Sequence, residues 1–294
     1  MIAAGIAVAL VAAAANAAAV LLLRLEARRA PEREAMHASL LLDLAHRPRW
    51  LAGIALTVLA AVLQVTALAL APIAVVQPTL ATGQLMLVAI ARLRRPDVVG
   101  ARELAGSVLI AGGIGCVVAT APVRVAVSAP ADGLAPPLAV VGGLAMAAFA
   151  FGRWHPRVRG MLAIGAGLAY AWADFAAKLL SDAASKGRWT LVGVWVGAIL
   201  LMGTLAFLEE NTALQRRLAV TVAPVISAIK IPLPVLMALW SGVEPWRGGA
   251  LGLVLLPLGL LLAAAGSYLL GSSDAVTALA GSNSRRPGRR GARG

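Results

Sequence analysis

The chain has 294 residues, 60% of them hydrophobic, 13% charged and 4% aromatic, with a formal net charge of +13. An ordinary soluble domain is about 45–50% apolar and about 25% charged, and several apolar runs here reach about 20 residues, enough to cross a bilayer core of about 30 Å. A soluble globular enzyme, a disordered chain and a disulfide-rich secreted domain are thereby excluded.

Nine hydrophobic segments follow in chain order: 2–23, 51–70, 73–92, 101–121, 137–152, 161–180, 190–208, 217–240 and 249–270. Each is expected to be a helix, because lipid offers the backbone no other hydrogen-bond partner and no barrel-type alternation is present. The fold class is therefore all-α, a polytopic bundle of about nine transmembrane helices. The first segment has no basic run before it and Arg24 directly after it, so it reads as a retained span rather than a cleaved leader. The fifth is the shortest, at about 16 residues, and needs tilt or a thin bilayer. Residues 30–48 carry Glu32, Glu34 and Asp43 among leucines and read as an interfacial helix. The stretch 271–294 is Gly/Ser/Arg-rich and reads as a disordered basic tail. Cys116 is the single cysteine, so no internal disulfide can form, and three scattered histidines show no metal spacing.

The basic surplus has a topological explanation. Only Lys178, Lys186 and Lys230 of the 26 basic residues are lysine. With the N-terminus outside, twenty basic residues fall in the inner loops and tail and four in the outer loops. One miscounted span would scramble that split. The expectation is a multi-pass protein of the plasma or inner membrane, N-terminus outside and C-terminus cytoplasmic, with lipid rather than nucleic acid around it.

The chain also repeats itself. An offset of 146 places Thr66-Ala67-Leu68 on Thr212-Ala213-Leu214, Val76-Gln77-Pro78 on Val222-Ala223-Pro224, and Gln64 on Glu210. In the charge-derived topology the copies run in opposite directions. Inverted repeats with interrupted helices typify secondary transporters, whose sites lie near the midplane. Pro78 and Pro224 each remove a backbone donor, and Pro232 and Pro234 add a second break in the eighth segment. The expected halves are 1–122 and 137–270.

The first half reads Arg47 through Gly53 (RPRWLAG), Leu63-Gln64 through Ala71-Pro72, Val76-Gln77-Pro78, and Gly106 through Pro122, and the second half carries Lys178, Asn211 through Leu214, and Val222-Ala223-Pro224. In that order and spacing these residues resemble the drug/metabolite transporter superfamily, the EamA-like fold, and within it the nine-span branch that includes NIPA-type magnesium transporters. The resemblance covers roughly residues 1–270. The superfamily usually has five plus five spans; this chain has four plus five. The resemblance implies movement of a small solute by alternating access and leaves the substrate open, because the superfamily carries metabolites, amino acids, drugs, sugars and, in one branch, magnesium.

Charges at membrane depth each need a reason, since one costs at least about 2.5–3.5 kcal/mol by insertion scales. Asp174 and Lys178 lie one turn apart on the sixth segment and Lys230 lies on the eighth. Asp174 and Lys230 are both about 21 Å from the cytoplasmic ends of their segments, so they can meet across the bundle. Two readings stand: an internal ion pair that locks two helices, or a substrate or proton-coupling site built on the lysine left over. Glu209 and Glu210 read as a solvated inner mouth beside Arg216 and Arg217, with Glu210, Asn211 and Gln64 as candidate lining. Asn16, Gln77, Thr82 and Gln84 are uncharged lining candidates, or helix–helix glue. Tyr170 and Trp172 can cap a pocket or simply pack.

One deep carboxylate against two ammonium groups gives a positive sum, which opposes a dication. The expected function is thus a secondary transporter of a small anionic or zwitterionic metabolite, with proton coupling as an option. The alternatives are a magnesium or other divalent-cation transporter, and a non-transporting scaffold or lipid-binding protein. No Ser/His/Asp set, Walker loop or metal or cofactor motif is present, so neither an enzyme nor an ATP-driven pump is expected.

Overall fold

The computed structural model describes residues 2–27, 47–94, 100–120, 131–154, 160–216, 219–244 and 249–271. The expected interfacial helix and the basic tail lie outside them. Among the described residues there are eleven helices and no strand: α1 (Ile2–Ala27), α2 (Pro48–Leu70), α3 (Ile73–Leu80), α4 (Thr82–Arg94), α5 (Ala101–Ala119), α6 (Ala131–Trp154), α7 (Met161–Ser185), α8 (Trp189–Arg216), α9 (Ala219–Lys230), α10 (Pro232–Trp240) and α11 (Gly249–Gly271). Seven elements are long and apolar enough to cross a bilayer: α1, α2, α3 with α4, α5, α6, α8 and α11. The molecule is therefore a polytopic helical membrane bundle.

The fifth segment is not short. α6 runs for 24 residues and carries Pro136 and Pro137 within it, which leave the carbonyls of residues 132 and 133 without their helical donors. The two elements outside the seven are α7 and the α9–α10 pair, and these carry Asp174, Lys178 and Lys230. Sixteen of the 25 residues of α7 are buried. It packs against α2, α6, α8, α9 and α10, so its polar groups face protein rather than lipid.

The third and eighth segments are broken. α3 ends at Leu80 and α4 starts at Thr82, with Ala81 between them; α9 ends at Lys230 and α10 starts at Pro232, with Ile231 between them. Pro78 and Pro224 lie inside helices, three and seven residues before the breaks. The breaks are thus 150 residues apart, one turn off the sequence offset. In the eighth segment the reason is local. Pro232 and Pro234 have no N–H to offer the carbonyls of Ala228 and Lys230, so the helix stops and restarts with Pro232 in its first turn.

Ala81 and Ile231 belong to one apolar cluster with Val88, Ile110, Ala263 and Leu270. Gln84 Nε2 donates to Ser227 Oγ at 2.8 Å. The two broken elements therefore meet at their breaks.

Glycine lets α5 and α11 approach backbone to backbone. A Cβ on Gly113 would lie 2.6 Å from the Gly259 carbonyl, and one on Gly266 would lie 2.6 Å from the Gly106 carbonyl. The pairs 106/266 and 113/259 run antiparallel. This is close small-residue packing of the membrane type.

Candidate functional site

A chain of polar side chains crosses the bundle through α7. Gln64 Nε2, on α2, donates to Asp174 Oδ1 at 2.9 Å. Asp174 Oδ2 lies 3.8 Å from Lys230 Nζ. The Lys230 ammonium sits 4.9 Å from the centre of the Tyr170 ring, within cation–π range. Tyr170 Oη donates to Glu210 Oε2 at 2.7 Å. The expected meeting of Asp174 and Lys230 occurs, and Tyr170 joins it because it lies one turn before Asp174 on the same face of α7.

Gln64 and Glu210, related by the 146-residue offset, both hydrogen-bond to α7, one at Asp174 and the other one turn away at Tyr170. The side chains differ in accessibility. Asp174 is 11% exposed, whereas Lys230 is 38% exposed and ends α9, where the C-terminal carbonyls favour a cation. A charge pair is thus presented at the break of a helix, its anion held by Gln64 and its cation reachable.

Lys178 belongs elsewhere. Its Nζ is 3.0 Å from Asp182 Oδ1 and 3.7 Å from Glu244 Oε1. Glu244 Oε1 also accepts the Ile73 N–H at 2.7 Å, capping the N-terminus of α3, where negative charge is favoured. Gly242, at φ 71°, turns the chain back after α10 and delivers Glu244 to this point. Burial pushes the Glu244 carboxyl above its ordinary range, against the Lys178 ammonium and the Ile73 and Ala74 N–H groups, which pull it down. Glu244, Val243, Ser241, Ile73 and Lys178 are all buried, so this ion cluster is held inside the bundle.

The charge count expected from sequence is corrected by these contacts. Neither lysine is left over: Lys178 is paired with Asp182, with Glu244 beside it, and Lys230 is paired with Asp174. At the Asp174 site one ammonium faces Asp174 directly and Glu210 through Tyr170. The positive sum that opposed a cation is gone. Among the described residues, no group of three or more His, Cys, Asp or Glu side chains is placed to hold a metal ion.

Glu209 is also corrected. It is not part of a solvated mouth but fully buried, facing Gly165 of α7. It shares the stripe of Met202, Ala206 and Ala213 on α8, all buried, and that spacing is the signal that would have found it. Glu210, the next residue, is the half-buried partner of Tyr170. Asn211 lies in α8, and its side chain is outside the described ones. Gln77 is buried with its Nε2 unpartnered. Asn16 faces outward. Thr82 bonds back to the Thr79 carbonyl. Trp172 donates to the Leu138 carbonyl at 2.9 Å and packs on Gly142, so it ties α7 to α6. Pro78, Pro224 and Pro234 are buried and Pro232 half-buried. Sequence reasoning missed Asp182, Glu244 and Ser227.

Comparison of the chain with known protein families, with curated proteins and with solved structures gives no match in any of the three.

Proposed function

We propose that the chain is a secondary transporter of a small zwitterionic solute, working by alternating access across a cell membrane. One observation carries the reading: an accessible lysine at the end of a broken helix, held 3.8 Å from a carboxylate on the central helix. Two broken helices that meet at their breaks fit a substrate path, because freed backbone carbonyls are tolerated at membrane depth where they face protein or a wet cavity. Adjacent charges of opposite sign suit a solute that carries both an ammonium and a carboxylate. A purely anionic solute loses the support it drew from a leftover lysine.

In this reading α7 and the α9–α10 pair cross the bilayer with the seven apolar elements, making nine spans in two inverted halves, N-terminus outside and C-terminus cytoplasmic. The family resemblance to EamA-like transporters supports the same arrangement. The Glu244 cluster then lies toward the outer side. The altered charge count favours a second reading, a divalent-cation carrier using Asp174 and Glu210.

The test is flux in proteoliposomes with labelled zwitterionic, anionic and cationic solutes and with magnesium, with and without a proton gradient. Zwitterion flux that collapses in Asp174→Asn is the expected result. Magnesium flux with no organic flux selects the second reading. Inert vesicles under every gradient sink both and leave a scaffold or lipid-binding role.

A further inference from the structure

One ionisable group near the site is used by none of these contacts. Glu209 is fully buried, and neither of its carboxyl oxygens has a hydrogen-bond partner among the described residues. Its Oε1 points at the Cα of Gly165 on α7, with Ala148 of α6 bordering the same point. Along the seam between α6, α7 and α8 lie Ala145, Ala169, Ala173, Met202 and Ala206, all apolar. On α7 the charged or titratable groups are Tyr170, Asp174, Lys178 and Asp182, and each is engaged elsewhere. On α9 Lys230 is held at Asp174. Among the described side chains, α6 presents none.

We propose that Glu209 is a proton-binding site whose occupancy is linked to the packing of α8 on α7. An ionised carboxyl in this apolar seam has neither a donor nor a cation among the described side chains to compensate it, so the closed seam and the bare charge cannot persist together. A hydrated metal ion has no room between Gly165 and Ala148; a proton needs none. Gly165 is the residue that lets the carboxyl in, since any side chain there would occupy its place.

The link to the polar chain is short. Glu210, the next residue on α8, accepts from Tyr170, five residues along α7 from Gly165. Loss of the Glu209 proton leaves a charge that only a parted seam can hydrate. Parting α8 from α7 at Gly165 draws Glu210 away from Tyr170, whose ring lies against Lys230. This coupling rests on the transporter reading, whereas the proton site itself does not.

Infrared titration of the full chain in phosphatidylcholine–phosphatidylglycerol vesicles tests the site. A carbonyl band of protonated carboxyls is expected at mildly acidic pH, to which buried Glu244 also contributes. The component that Glu209→Gln removes should be kept in Glu210→Gln and in Glu244→Gln, and lost as the pH is made alkaline. Superimposable spectra of wild type and Glu209→Gln overturn the proposal, as does a band that never titrates. Should Glu209→Gln fail to fold, the wild-type protein is treated with an apolar carbodiimide, which modifies protonated carboxyls, and the adducts are mapped by peptide mass spectrometry. An adduct on Glu209 that disappears at alkaline pH supports the site; none at acidic pH overturns it. For the coupling, Glu209→Gln should still exchange solute but no longer respond to a proton gradient; an unchanged response overturns the coupling. Absence of flux in every variant overturns the transporter reading and the coupling with it, while the infrared band still decides the proton site.

Discussion

Removing one member of the Asp174–Lys230 pair tests the site most directly. At 3.8 Å and an effective dielectric constant of about 20, the gross attraction is about 4 kcal/mol. Lys230 is more than a third exposed, and screening of such a group brings the net coupling down to about 1 kcal/mol. A double-mutant cycle of Asp174→Asn and Lys230→Met, read as unfolding free energy in detergent, should return that value. The same variants should act very differently on solute. Each removes one charge-assisted contact of about 1.5–3 kcal/mol, which corresponds to roughly 10–100-fold weaker binding. The loss should be selective. Lys230→Met should lose the free-acid analogue that lacks an amine but keep the cationic ester, and Asp174→Asn should do the reverse. If both variants handle zwitterion, acid and ester as the wild type does, the pair is a structural lock and the site assignment fails.

Other perturbations separate neighbouring contacts. Tyr170→Phe keeps the ring against Lys230 and removes only the bond to Glu210, so it should cost about 1 kcal/mol of stability; a scanning calorimetry shift no larger than that of an exposed substitution would refute the contact. Gly113→Ala places a methyl 2.6 Å from the Gly259 carbonyl and 2.7 Å from the Ala263 nitrogen, both backbone atoms, so α5 and α11 must separate. About 1–3 kcal/mol of stability should go, whereas Gly112→Ala, which meets nothing within 4 Å, should be neutral; equal melting temperatures for the two would contradict the packing. Glu244 has its folded value raised above 4.5. The sign is that of an acid whose neutral form is favoured by folding: its contribution is full below 4.5 and is lost as the pH rises through the raised value. Wild-type melting temperature should therefore fall across that window and Glu244→Gln should show a flatter profile; parallel profiles would show that Glu244 does not titrate there.

The all-helical class and the positions of the apolar helices are legible in the sequence, because a bilayer demands long apolar segments and punishes charge within them. So is the matching height of Asp174 and Lys230, since a regular helix converts residue count into depth. Prolines announce breaks in the third and eighth segments, although a missing N–H acts on the carbonyl four residues earlier, so the break need not fall at a given proline. Hence Ala81 and Ile231 are the break residues and Pro78 and Pro224 are not.

Rotation and long-range pairing are a different matter. Lys178 and Asp174 share a face of α7, yet Glu244, brought in from 66 residues downstream by the turn at Gly242, takes the lysine away. Glu209 and Glu210 look alike in a charged cluster, yet one is sealed against Gly165 and the other bonded to Tyr170. Which partner a buried charge finds depends on how neighbouring helices are turned about their axes. That is set by close packing of small residues across the whole bundle, and only the tertiary structure contains it.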